Sequence, residues 1–144
     1  MLVVLEGCDG TGKTTLATRL AKVLNGEIIH CNTKTPNDYS FFEALILASK
    51  DKNIIADRFC YGQFVYQEEA DRKLTKEQLY ELEVLMLREN AKVIWVDAKL
   101  ETIEERLDSR EEKLINGLTP AQVCDRYSEL FGDSILPVQR WVTD

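Results

Sequence analysis

Residues 2–15 read Leu2-Val3-Val4-Leu5-Glu6-Gly7-Cys8-Asp9-Gly10-Thr11-Gly12-Lys13-Thr14-Thr15, and the rest of the chain is read outward from them. The apolar run 2–6 suits a buried parallel strand. Gly7, Gly12, Lys13 and Thr14 then fit the pattern G-x-x-x-x-G-K-[ST], a turn that points successive backbone N–H groups at phosphate oxygens. Leu16, Leu20, Val23 and Leu24 repeat at helical spacing until Asn25-Gly26 stops the helix. Strand, loop and helix in this order place the positive end of a helix behind the loop. Gly7, Asp9, Gly10, Thr11, Gly12, Lys13, Thr14 and Thr15 are therefore candidates for holding a nucleotide. Lys13 reaches its terminal phosphates as a point charge, and the Thr14 hydroxyl is a ligand for Mg²⁺.

The 144 residues suffice for one domain with a single core, and 44% hydrophobic with 30% charged residues are globular values. No apolar run approaches the ~20 residues needed to cross a bilayer. The first strand runs straight into the loop, unlike a secretory signal, so a cytoplasmic protein without membrane partners is expected. A net charge of −7 argues against a nucleic-acid polymer as partner and for small nucleotides. Cys8, Cys31, Cys60 and Cys124 are scattered without C-x-x-C pairing, which predicts reduced, packed thiols. His30, the only histidine, ends an apolar strand and is expected in the core.

Further along, 27–31 reads as a second strand and 32–38 as a polar turn. Segment 39–49 reads as an apolar helix with Phe41, Phe42, Leu45 and Leu47, and 53–57 as a third strand ending on Asp57. Residues 60–70 read as a helix. Thr75 to Gln78 matches a capping box opening a helix to about 90, and 92–97 is a fourth strand ending on Asp97. A charged helix follows with Leu100, Ile103 and Leu107 on one side. Thr119-Pro120-Ala121-Gln122 opens another through a second capping box, and 138–142 reads as a fifth strand.

Strands alternating with helices predict an α/β fold, a five-stranded parallel sheet flanked by helices, with ligands beyond the C-terminal strand ends. The phosphate loop, Lys34, Asp57-Arg58 and Asp97 all fall at that edge. Asp57 is placed as a second Mg²⁺ ligand. Arg58 cannot face the same way as Asp57 in a regular strand, but just past the strand end the chain can turn it into the crevice. Phosphoryl transfer needs cations around both donor and acceptor. Lys13 serves the donor; Arg58 and Lys34 serve the acceptor; Arg106 and Arg110, one turn apart, close over the transferred group. The alternative for these two is an ordinary surface role beside their glutamates.

The loop Glu6 to Thr15, with an acid inside it, Asp57-Arg58-Phe59 followed by Tyr66-Gln67, and Val96-Asp97 followed by Glu101, Arg106 and Arg110 together resemble thymidylate kinase, of the P-loop nucleoside monophosphate kinases. The resemblance implies a three-layer P-loop NTPase fold with a lid at about 106–118. It also implies transfer of the γ-phosphoryl of ATP, with Mg²⁺, to a pyrimidine deoxynucleotide, foremost dTMP. By the same resemblance Asp9 contacts the acceptor 3′-hydroxyl and Arg58 bridges donor and acceptor phosphates. Gln63, Tyr66 and Gln67 then lie near the base or sugar, Phe42 or Phe41 stacks on the ring, and helices 60–70 and 75–90 make a homodimer. Three features depart from the family: Lys34-Thr35-Pro36-Asn37-Asp38 stands for its Arg-Glu-Pro-Gly-Gly, Gly62 stands for its serine, and the chain is short, which would suit a viral enzyme in host cytoplasm.

Two other readings stay open. A deoxynucleoside kinase would phosphorylate a sugar hydroxyl with a carboxylate base, and its expected Glu-Arg-Ser motif is replaced by Asp57-Arg58-Phe59. A non-catalytic nucleotide-binding switch would need no acceptor site, and the Asn-Lys-x-Asp reader of guanine switches does not occur in this sequence.

Overall fold

The computed structural model describes residues 1–109 and 117–143. Five strands, β1 (Leu2–Glu6), β2 (Glu27–His30), β3 (Ile54–Asp57), β4 (Lys92–Asp97) and β5 (Val138–Val142), form one sheet in the order β2-β3-β1-β4-β5, every pair parallel. The helices are α1 (Lys13–Leu24), α2 (Tyr39–Ala48), α3 (Gly62–Tyr66), α4 (Lys76–Arg88), α5 (Leu100–Ser109) and α6 (Pro120–Gly132). No helix among the described residues is long and apolar enough to cross a membrane.

Side chains alternate across a pleated strand, and that alternation sorts the core. Val3 and Leu5 of β1, Ile55 of β3 and Val96 of β4 face α1, where Ala17 is buried and Leu16, Leu20 and Leu24 pack alongside. Leu2 and Val4, Ile54 and Ala56, and Val93 face the other way into the larger core, which includes Phe42, Leu82, Met86, Ile103, Val123 and Tyr127. The same parity carries to the strand ends. Asp57 follows Ile55 to the α1 side, and Glu6 follows Val4 to the opposite side.

The caps explain the helix boundaries. Asn25 adopts a left-handed conformation (φ 51) and its N–H returns to the Ala21 carbonyl, ending α1. Both capping boxes form, Thr75 with Gln78 and Thr119 with Gln122, the second with Pro120 in the first helical turn. Asp38 caps α2 by accepting from the Phe41 N–H at 2.9 Å.

Several expectations are corrected. The helix expected over 60–70 is only Gly62–Tyr66, followed by a single 3₁₀ turn at Glu69–Asp71. Arg72 takes up the backbone carbonyls of Gln63 and Gln67 at its end. Val23, read as part of the apolar face of α1, points to solvent, and Leu47 of α2 is exposed. Arg110 and most of the expected lid, 110–116, lie outside the described residues.

Candidate functional site

β1 lies between β3 and β4, so the loop that follows it sits where the strand order reverses, the usual ligand position in such sheets. The loop owes its shape to glycine. A Cβ on Gly7 (φ 154) would stand 2.2 Å from the Val96 carbonyl oxygen, and Gly12 at φ 86 starts α1 from the left-handed region. The buried Thr11 hydroxyl closes the loop on itself by donating to the Cys8 carbonyl at 2.8 Å.

Lys13 and Thr14 open α1 and meet Asp57, which parity has sent to the α1 side. Lys13 Nζ is 3.5 Å from Asp57 Oδ1 and the Thr14 hydroxyl is 3.4 Å from Oδ2. Lys13 and Asp57 are both buried, so their charges meet in a medium less polar than water. A hydroxyl and a carboxylate at this spacing are the hard oxygen donors Mg²⁺ takes, and the residues fit that ion. Thr15 is exposed one position along.

Arg58 follows Asp57 with φ 69, rare for a residue with a side chain. Its N–H donates to the Leu5 carbonyl at 2.8 Å. This left-handed turn swings the guanidinium across the end of β1, where it pairs with the Asp9 carboxylate and lies 4.9 Å from the centre of the Tyr66 ring. From the other side Arg106 of α5 donates to the Gly10 carbonyl at 2.7 Å. Asp57, Arg58 and Arg106 thus converge on one loop, meeting Lys13, Asp9 and Gly10 respectively.

The remaining expected residues divide. Lys34 sits exposed on the turn after β2, its N–H held by the Asn32 side chain at 2.8 Å. Tyr66 Oη and Gln67 Oε1 are buried without a hydrogen-bond partner among the described residues, and such orphaned groups are unusual unless something else satisfies them. Two expected contacts to the acceptor are corrected. Phe42 has no exposed surface and its ring meets Phe59 edge-on at 4.8 Å between centroids, so it is a core residue with no face to offer a base. Gln63 spends its whole amide inside the protein: Nε2 donates to the Asn37 carbonyl at 2.6 Å, and Oε1 accepts from the Lys73 and Leu74 N–H groups. It ties the turn after β2 to the segment before α4.

Asp97 sits at the same edge but is taken by Arg140 of β5, whose Nη2 is 2.6 Å from Oδ2. His30, expected in the core, has 58% of its side chain exposed and puts Nδ1 3.1 Å from Asp57 Oδ2. It shares the α1 side with Asp57 and is in register with it.

Sequence reasoning assigned no role to Glu6. Its side chain has no accessible surface; Oε2 accepts from the Phe59 N–H and Oε1 from the Tyr127 hydroxyl, each at 3.0 Å. Burial pushes the carboxyl up to about 7, against the pull of the Phe59 N–H, Arg58, Tyr127 and Lys13. The available signal was an acid at the inward-facing end of an apolar strand. The Thr143 hydroxyl, just past β5, donates to the Thr11 carbonyl and was equally unforeseen.

No protein-family model and no curated protein matches the chain, but solved structures do. The chain aligns over 99% of its length with 85% of the YorR protein of Bacillus subtilis, solved in complex with phosphorylated GDP, at a TM-score of 0.83 and 28% identity. It aligns over its whole length with 91% of deoxyadenosine kinase from M. mycoides with bound dATP (TM-score 0.61, 19% identity). With thymidylate kinase from Candida albicans it shares 98% of its own length and 82% of that chain (TM-score 0.53, 17% identity). At the two lower identities the likeness is of fold alone. The fold is that of the P-loop kinases, a five-stranded parallel sheet flanked by helices.

Proposed function

We propose that this chain is an ATP-dependent kinase of deoxynucleoside monophosphates, with dTMP the acceptor its sequence signature favours. The observation that carries the reading is the turn at Arg58. A residue at φ 69 aims a cation across the end of β1 toward Asp9, opposite the Lys13, Thr14 and Asp57 cluster. One loop is thus flanked by positive charge for two phosphate groups, as transfer between two nucleotides requires.

In this reading the loop amides and Lys13 hold the β- and γ-phosphates of ATP. Thr14 and Asp57 would hold Mg²⁺, which supplies neutralisation of charge on the phosphates. Arg58 exchanges its Asp9 partner for the acceptor phosphate, and Asp9 turns to the sugar 3′-hydroxyl. The acceptor phosphate is already a nucleophile at neutral pH, so no general base is needed. Arg106, beside the Gly10 carbonyl, stabilises the transferring group, with Arg110 as its candidate companion from the lid. Lys34 adds positive charge on the acceptor side. Tyr66 and Gln67, whose buried polar atoms lack hydrogen-bond partners among the described residues, are the candidates for contacting the acceptor nucleoside.

A guanine nucleotide acceptor is the second reading. The YorR protein was solved with phosphorylated GDP and resembles this chain at 28% identity over 99% of its length.

The test is an acceptor panel assayed with ATP and Mg²⁺: dTMP, dUMP, dGMP, thymidine and water. Conversion of dTMP to dTDP as the fastest reaction supports the proposal, and dGMP as the best acceptor transfers it to the second reading. Phosphorylation of thymidine alone, or ATP binding with no transfer to any acceptor, overturns it.

A further inference from the structure

We infer that Glu6 is a positioning residue for Arg58, holding both the backbone that aims the guanidinium and the aromatic shelf on which it lies. The inference rests on the reading of Arg58 as the acceptor's cation and extends it to a residue that touches neither nucleotide.

One arm is backbone. Arg58 is bracketed by two hydrogen bonds to the end of β1: its own N–H donates to the Leu5 carbonyl at 2.8 Å, and the next N–H, that of Phe59, donates to Glu6 Oε2 at 3.0 Å. A left-handed residue persists where its surroundings over-determine it, and these two bonds fix the peptides on either side of φ 69. The second arm is aromatic. Tyr127 of α6 donates to Glu6 Oε1 at 3.0 Å, its ring meets Tyr66 edge-on at 6.1 Å between centroids, and the Tyr66 ring carries the Arg58 guanidinium at 4.9 Å. Both arms leave the same carboxylate.

The chemistry points the same way. A carboxylate with no accessible surface is a poor device for stability, because burying it is costly and apolar residues of like volume serve a core as well or better. Its two oxygens serve a geometry that an apolar side chain cannot, accepting from a backbone N–H and from a hydroxyl on a distant helix.

The test combines a readout without turnover and one with it. The first is the Nε–H resonance of Arg58 in the ¹⁵N-labelled protein, assigned by its absence in Arg58→Lys. In Glu6→Ala this resonance is expected to move toward that of a solvent-exposed arginine, and in Glu6→Gln, which keeps an oxygen for the Phe59 N–H, to return most of the way. An unmoved Arg58 resonance in Glu6→Ala overturns the inference. Should Glu6→Ala fail to fold, Tyr127→Phe, which keeps the ring and removes one arm, is expected to move the same resonance less; no movement overturns the inference in that case too.

The second readout is a double-mutant cycle with the best acceptor of the panel. Glu6→Ala is expected to raise acceptor KM about tenfold while the affinity for an ATP analogue measured without acceptor stays within about threefold. Glu6→Ala in an Arg58→Ala background is expected to add nothing. Multiplying losses, or an equal fall in ATP affinity, would make Glu6 a general structural residue. If no acceptor is phosphorylated, the kinase reading fails by itself, and the Arg58 resonance still decides the role of Glu6.

Discussion

Replacing Glu6 by glutamine should change how stability depends on pH. Burial pushes the Glu6 carboxyl from an ordinary 4.5 to about 7. The groups around it come from every neighbouring element: Arg58 and Phe59 after β3, Lys13 of α1, Tyr127 of α6, and the buried thiols of Cys31 and Cys60. Relative to the unfolded chain, a displacement of this size disfavours the ionised form against the protonated one by on the order of 3 kcal/mol. Below pH 4.5 the group is protonated folded and unfolded, and contributes no slope. Between 4.5 and 7 the unfolded chain loses the proton while the folded chain keeps it, so unfolding releases a proton and rising pH favours it. Above 7 both states are ionised and the slope vanishes. Glu6 therefore supplies stability that is complete at low pH and lost as pH rises through 7. Glutamine carries no proton to lose. Urea unfolding of both proteins at pH 5, 6, 7 and 8, followed by the fluorescence of Trp95 and Trp141, isolates this contribution, because every other titrating group is common to the pair. Relative to wild type, Glu6→Gln should gain on the order of 3 kcal/mol between pH 5 and 8. Parallel stability curves would refute the reasoning and mean that water or a cation reaches the carboxyl.

Lys13→Ala should lower kcat by about 10³ or more, since the charge it opposes develops in transfer. Asp9→Ala should mainly raise acceptor KM, because Asp9 pairs with Arg58 and in the proposed reading turns to the sugar; steady-state kinetics in both nucleotides separates the two. Phe42→Leu should cost about 1 kcal/mol of stability in urea and leave acceptor KM alone, and a large KM change would restore Phe42 to the site. Gly7→Ala should abolish binding of an ATP analogue in calorimetry, since its Cβ would meet the Val96 carbonyl at 2.2 Å. Thr75→Ala and Thr119→Ala should each cost about 1 kcal/mol, read from urea midpoints.

Local chemistry explains what could be read from the sequence. The phosphate loop is a contiguous pattern whose glycines answer backbone demands, and the two capping boxes are reciprocal bonds within four residues, so both are written where they act. The central strands β1 and β3 were legible because parallel strands buried on both faces are apolar runs, whereas β2 and β5 are edge strands, half-buried or exposed and mixed in character. The helix over 60–70 was misread because what ends it is Arg72, ten or so residues beyond its start, binding carbonyls from outside. Phe42 and Gln63 were misplaced for a related reason. A ring in an apolar helix and an amide near a motif look alike in a core, a staple or a ligand site, and only the partners from Phe59, Asn37 and Leu74 distinguish them. His30 was read as core from its apolar run. As the last residue of an edge strand it has only one strand beside it, and the neighbour in register is Asp57.

The two carboxylates at the head of the sheet owe their different environments to one residue of offset. Leu5, not Glu6, is in register with Asp57, so the acid of β1 stands one position further along its strand and on the opposite face. On the α1 side Asp57 meets Lys13, Thr14 and His30, and its oxygens are where a metal ion and phosphates would be. On the other side Glu6 meets a backbone N–H and a tyrosine hydroxyl with no accessible surface left to it. Had the two acids shared a face, their repulsion would fall on the same few ångströms of the loop. The pleat separates them instead, leaving one acid for the cations of the cleft and the other to hold Arg58 in place from beneath it. The division follows from strand register alone, which is why no local motif could announce it.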